Sequence, residues 1–132
     1  MSRRRDRTPY VLVVDDDQDA LTIAQLTLDW AGIRVQVAAS AAEGLRMVVE
    51  DPPAVALIDL EMPIMSGIAF LRALRADPMT QRVATVALTG VPEILDAVSD
   101  VKFDWVLTKP VAPDDLVRIV RSLIATSEVD PV

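Results

Sequence analysis

The sequence predicts an α/β domain built on one parallel sheet, with helices packed on both of its faces. Short runs are apolar on both faces, segments of helical period lie between them, and the runs end in polar turn residues. The first strand is Val11–Val14, followed by a helix over about 18–31 in which Leu21, Ala24, Leu28 and Ala31 share a face. A second strand covers about 33–38. Ser40 with Glu43 three residues on is the capping-box pattern, opening a helix whose stripe is Leu45, Val48 and Val49. Asp51-Pro52-Pro53 stops that helix, and 54–58 forms a third strand. Ser66 caps a helix burying Ile68, Leu71 and Leu74, and a fourth strand covers 83–88. After Pro92 a brief fourth helix carries Ile94, Leu95 and Val98, and a fifth strand covers about 104–108. The last helix starts near Pro113, with Leu116, Ile119, Val120, Leu123 and Ile124 on one stripe. Right-handed crossovers join these units into a three-layer domain with no internal linker.

Composition narrows the chemistry. The chain has 132 residues, the size of one domain, and 52% of them are hydrophobic, which excludes intrinsic disorder. It has no cysteine and no histidine. Disulfides, thiolate or imidazole metal sites, a Ser/His/Asp triad and phosphohistidine formed on this chain are all excluded. The formal charge is −7, and four arginines fall within residues 3–7, so the body of the chain is strongly acidic. An acidic body repels phosphate backbones, and no direct nucleic-acid contact is expected. The chain divides into a flexible basic arm (1–8), a folded domain (9–126) and a tail (127–132). No apolar run is long enough to span a membrane, so a cytoplasmic protein without membrane insertion is expected.

In an open parallel sheet, ligands bind beyond the carboxyl ends of the strands. Asp15, Asp16 and Asp17 follow the first strand, Asp59 the third, Thr89 the fourth and Lys109 the fifth. Each alone is ordinary turn chemistry, but their convergence on one crevice is not. Two carboxylates about 5 Å apart repel by roughly 3 kcal/mol at an effective dielectric near 20, which calls for a counter-charge. With only oxygen ligands on offer, the matching ion is hard: Mg²⁺, with Mn²⁺ as a substitute. Lys109 adds a positive charge for a phosphoryl group and Thr89 a hydroxyl donor.

VLVVDDD at 11–17, ALIDLEMPIMSG at 56–67, VALTG at 86–90 and VLTKPV at 106–111 resemble the receiver domain of two-component response regulators. The resemblance covers about residues 9–125. It implies a flavodoxin-like fold of strand order 2-1-3-4-5 and a phosphoacceptor role for Asp59, which would attack a phosphohistidine. It implies Mg²⁺ held by Asp15, Asp16, Asp59 and the backbone carbonyl of Glu61. Thr89, Lys109 and the Gly90 amide would contact the phosphoryl group, and Pro110 would follow a cis peptide bond. The implied partners are a histidine kinase or histidine phosphotransfer protein, and a downstream protein bound on the face of the fourth helix, fifth strand and last helix. The chain is expected to be a monomer or weak homodimer, and no enzyme beyond catalysing its own phosphorylation and dephosphorylation.

The chain departs from the family pattern in places. An aromatic switch residue often stands three positions before the lysine; here Val106 holds that place, with Trp105 before it on the exposed partner face. Gly90 stands where alanine is frequent. Glu61 brings a further carboxylate to the site and is expected to alter phosphate lifetime; Asp17 is a rim residue. The LTG and KPV variants look like receivers attached to hybrid histidine kinases. The expected function is a stand-alone receiver that signals by partner binding or phosphorelay. The alternatives are a receiver-fold adaptor that is never phosphorylated, or a haloacid-dehalogenase-like phosphatase using Asp15.

Overall fold

The computed structural model describes residues 8–62 and 66–128. In the first strand, β1 (Val11–Val14), all four side chains are buried, which requires cover on both faces. The strand pairs in parallel with β2 (Val35–Ala38) on one side and β3 (Val55–Asp59) on the other. β4 (Ala84–Thr89) and β5 (Trp105–Thr108) complete a five-stranded sheet of order β2-β1-β3-β4-β5, the expected order. Because strand side chains alternate in direction, β1 feeds two cores. Leu12 and Val14 meet Ala56, Ile58, Val48, Phe70 and Leu74 on one face. Val11 and Val13 meet Val55, Leu57, Val86, Leu21, Leu28, Leu116 and Val120 on the other.

Each helix begins where the local chemistry dictates. Asp17 caps α1 (Gln18–Trp30) by accepting from the Asp19 amide at 3.0 Å. That helix ends in a turn in which the Gly32 amide bonds Asp29 and the Ile33 amide bonds Leu28. The turn needs φ of +78° at position 32, which glycine adopts without strain. Ser40 caps α2 (Ala41–Glu50) by accepting from the Glu43 amide, while Glu43 Oε1 reaches back to the Ala39 amide at 2.8 Å. Ser66 caps α3 (Gly67–Ala76) by accepting from the Ala69 amide at 3.1 Å. The last helix is α4 (Pro113–Glu128).

Four expectations are corrected. Val49 is 66% exposed, and the buried stripe of α2 is Ala41, Gly44 and Val48. Gly44 makes that stripe possible, since a Cβ there would lie 2.9 Å from Phe70 and 3.0 Å from Val14. The fourth helix is a 3₁₀ segment, Pro92–Ala97, that buries no side chain and has no side-chain cap. Its apolar residues span a single turn, too short a stripe to hold an α-helix on the sheet. The face expected of a fourth and fifth helix is therefore built from this segment, β5 and α4. Helix α4 also runs past the expected boundary at 126, its final turn tied by Thr126 Oγ1 donating to the Ser122 carbonyl and Ser127 Oγ to that of Ile124. Residues 1–7 of the expected arm and 129–132 of the expected tail lie outside the described residues.

Away from the site, Arg75 ties α3 to the sheet. Its guanidinium donates to the carbonyls of Gln81 and Val83, to Thr85 Oγ1 and to Asp104 Oδ2. The same Asp104 oxygen accepts from the Thr85 amide at 2.7 Å. Arg75→Ala removes four hydrogen bonds that join α3 to the loop before β4, to Thr85 and to Asp104, and is expected to lower stability by about 2 kcal/mol, read from urea unfolding. A loss below about 0.5 kcal/mol would show that the network is not a structural tie.

Candidate functional site at the carboxyl edge of the sheet

The strands' parallel register places their carboxyl ends side by side. Val14 is paired with Ile58, so the next residues, Asp15 and Asp59, emerge together. Asp59 is itself the last residue of β3, opposite Leu88, and Thr89, the last of β4, is paired with Thr108. Ladder hydrogen bonds continue past the strand ends: Asp15 N to the Ala38 carbonyl, Leu60 N to that of Leu88, and Lys109 N to that of Thr89. The backbone at Asp15, Leu60 and Lys109 is therefore tied to the sheet.

Asp15 and Asp59 are only 4% and 3% exposed, and Asp16 is exposed beside them. Oxygens of these three carboxylates lie within 4.8 Å of one another, close enough to share a metal ion. Lys109 Nζ donates to Asp59 Oδ1 at 2.8 Å and to Glu61 Oε1 at 3.2 Å. Thr89, fully buried, donates through Oγ1 to Glu61 Oε2 at 2.6 Å and accepts from the Val91 amide at 2.9 Å. The amides of Asp17 and Glu61 donate to Asp15 Oδ1 and Asp59 Oδ1. Gly90 is exposed at the mouth, with nothing within 4 Å of where a Cβ would stand.

The electrostatics follow from this crowding. Burial, reinforced by the charge of Asp59, pushes the Asp15 carboxyl up to about 6, although the Asp17 amide pulls the other way. Burial alone would lower the Lys109 ammonium, but hydrogen bonds to Asp59 and Glu61 outweigh it and hold its pKa above the usual lysine value. One ammonium faces four carboxylates here, counting Glu61. The oxygen-only donor set and the unfavourable ionisation of Asp15 both fit a hard divalent cation.

The structure thus brings together Asp15, Asp16, Asp59, Glu61, Thr89 and Lys109, with Gly90 at the rim. Pro110 follows a cis peptide bond, as expected. Asp17 is the cap of α1 and donates its amide to Asp15. Trp105 and Val106 lie apart on β5, the edge strand, and are 48% and 36% exposed. Two features escape the sequence reading. The reach of the Glu61 side chain to both Thr89 and Lys109 has no signal beyond its position two residues after Asp59. Gly67 packs against the rim so closely that a Cβ would lie 2.8 Å from the Asp59 carbonyl oxygen and 2.7 Å from Leu60.

A sheet of order 2-1-3-4-5 with an acidic notch at its carboxyl edge defines the class as a flavodoxin-like α/β domain. The chain belongs to the response regulator receiver domain family of two-component systems, whose family model matches residues 11–121. It is 34% identical over 119 residues to the transcriptional regulatory protein PrrA of Mycobacterium bovis, covering 89% of this chain and 50% of that protein. The chain thus spans about half the length of that relative. It is 33% identical over 113 residues to an uncharacterised 14.6 kDa protein of Leptolyngbya boryana, covering 84% of this chain and 86% of the other. Among solved structures it is similar to the chemotaxis protein CheY4 of Vibrio cholerae, with a TM-score of 0.81 at 28% identity over 88% of this chain and 98% of that one. A sensor protein from Polaromonas sp. JS666 gives a TM-score of 0.83 at 27% identity, over 90% of this chain and 98% of that one.

Gly67→Ala forces either the Asp59 carbonyl or Leu60 to move. It is expected to lower stability by about 1–3 kcal/mol and to shift the amide resonances of Asp59 and Leu60. A variant with unaltered resonances at those positions would show that the rim has room there.

Proposed function

We propose that this receiver domain stores a signal as an aspartyl phosphate on Asp59. The observation that carries this reading is the 2.8 Å contact from Lys109 Nζ to Asp59 Oδ1, at the base of a notch that also holds Asp15 and Asp16. A divalent cation, Mg²⁺ or Mn²⁺ in its place, would be held by Asp15, Asp16, Asp59 and the Glu61 backbone carbonyl. When bound it supplies positive charge against the phosphoryl oxygens.

The chain's own residues divide the remaining work. A carboxylate oxygen of Asp59 attacks phosphorus, the bond from phosphorus to the donor imidazole nitrogen breaks, and its electron pair returns to the ring. Asp59 is fixed for this by its ladder pairing with Leu88 of β4 and by the Glu61 amide. Lys109 neutralises charge on the phosphoryl group, Thr89 donates its hydroxyl, and Gly90, exposed with open space beside it, would offer its amide to the phosphoryl oxygens. With no histidine in the chain, the donor is another protein, a histidine kinase or histidine phosphotransfer protein, or a small phosphodonor. In this reading the chain turns over no substrate beyond its own acyl phosphate.

For output, the proposed surface is the one around Trp105 and Val106, bordered by the exposed Val91 and Ile94 and by α4. The similarity to a relative of nearly equal length supports a stand-alone receiver that signals by binding a partner protein or by phosphorelay. The acidic body argues against direct nucleic-acid contact. Among the described residues no helix is long and apolar enough to cross a membrane, and a cytoplasmic location is the one proposed.

Incubation with a small phosphodonor and Mg²⁺ is expected to add the mass of one phosphoryl group, and Asp59→Asn to abolish the gain. A gain that survives Asp59→Asn, or a label mapped to Asp15 as a phosphatase intermediate would require, would overturn the reading.

A further inference from the structure

The Glu61 carboxylate takes up two of the groups to which the phosphoryl group is assigned. Its Oε2 accepts from Thr89 Oγ1 at 2.6 Å and its Oε1 from Lys109 Nζ at 3.2 Å. A hydroxyl has one proton, and a carboxylate can only accept. Thr89 Oγ1 accepts from the Val91 amide and donates its one proton to Glu61 Oε2, so that proton is not free for a phosphoryl oxygen. Lys109 divides its protons between Asp59 and Glu61.

We propose that Glu61 is a resident anion that holds Thr89 and Lys109 in the unphosphorylated arrangement and must be evicted for the phosphorylated one to form. The proposal rests on the phosphoacceptor reading of Asp59 and adds a regulatory contact to that site. The side chain is suited to this exchange. It is half-exposed, so it swings into solvent without opening the core. Its backbone stays in place, with the Glu61 amide bonded to Asp59. Once a phosphoryl group arrives, the carboxylate loses the Thr89 donor, competes for Lys109 and stands beside a second anion, which disfavours its return. The Thr89 hydroxyl therefore has two mutually exclusive partners, Glu61 or the phosphoryl group, while Lys109 is shared between them, and a phosphodonor shifts the balance. The same exclusion transmits occupancy outward, because Thr89 also carries the Val91 amide at the start of the loop leading to the 3₁₀ segment. Release of Glu61 frees the Thr89 hydroxyl to turn, and the Val91 hydrogen bond turns with it.

The test uses beryllofluoride with Mg²⁺ as the phosphoryl analogue, titrated by calorimetry into the wild-type chain, Glu61→Ala and Glu61→Asp. Aspartate keeps the charge but is shorter by one carbon–carbon bond, about 1.5 Å, and no longer bridges both donors. Both variants are expected to bind beryllofluoride about tenfold more tightly than the wild type, the scale of one lost charge-assisted hydrogen bond. In the unliganded protein, the Thr89 hydroxyl proton and Val91 amide resonances are expected to shift in both variants. Equal affinity in all three proteins would overturn the latch while leaving Asp59 as acceptor. Tighter binding by Glu61→Ala alone, with Glu61→Asp matching the wild type, would also overturn it, since simple charge repulsion would then suffice. No binding by any of the three, the wild type included, would remove the acceptor reading beneath the proposal.

Discussion

The arrangement at the carboxyl edge turns on one constraint: like charges are held together by a sheet that cannot spread. Parallel pairing brings Asp15 and Asp59 out side by side, and the ladder bonds beyond the strands prevent either from drawing back. Repulsion of roughly 3 kcal/mol for each close carboxylate pair must be met by protons, by cations or by distance. The folded chain uses a cation at neutral pH, and a proton on Asp15 only as the pH falls below about 6. Asp15 ionises with difficulty, and Lys109 is bonded to Asp59 and Glu61. What the ammonium leaves unbalanced is the attraction a divalent ion would meet.

The rest of the fold makes that edge rigid. Two apolar cores press the central strands from opposite faces, so β1 and β3 present no free surface on which to slide. Gly44 lets α2 approach Val14 and Phe70, and Gly67 lets α3 begin against the Asp59 carbonyl. At the far end Arg75 and Asp104 fasten α3, β4 and the entry to β5. By contrast, the described part of the link between β4 and β5 is lightly built, a 3₁₀ segment with no buried side chain that leads to an exposed edge strand. The rigid part of the molecule holds the charges, and the loosely packed part adjoins Thr89, whose hydroxyl is bonded to Glu61.

Much of this is legible in the amino-acid sequence. The central strands are apolar on both faces because they are covered on both faces, and that pattern needs no knowledge of partners in space. Ser40 and Ser66 signal helix starts through the local geometry of side-chain capping. The convergence of Asp15, Asp59, Thr89 and Lys109 follows from topology alone, since parallel strands end on one side. What stays hidden depends on distances across the fold. Val49 looks like its buried neighbour Val48 until the close approach at Gly44 fixes which way α2 is rotated. Glu61 reads as one more rim carboxylate, because nothing local says that Thr89 and Lys109, far along the chain, lie within its reach. The region after Pro92 has apolar residues at helical spacing, yet too few for packing to select an α-helix.

Calorimetric titration with Mg²⁺ tests the central claim most directly. The account predicts one ion bound per chain at neutral pH, with binding strongly weakened in both Asp16→Ala and Asp59→Asn. If Mg²⁺ failed to bind, or bound equally well after both substitutions, the carboxylates would not be the unbalanced charge that organises the site.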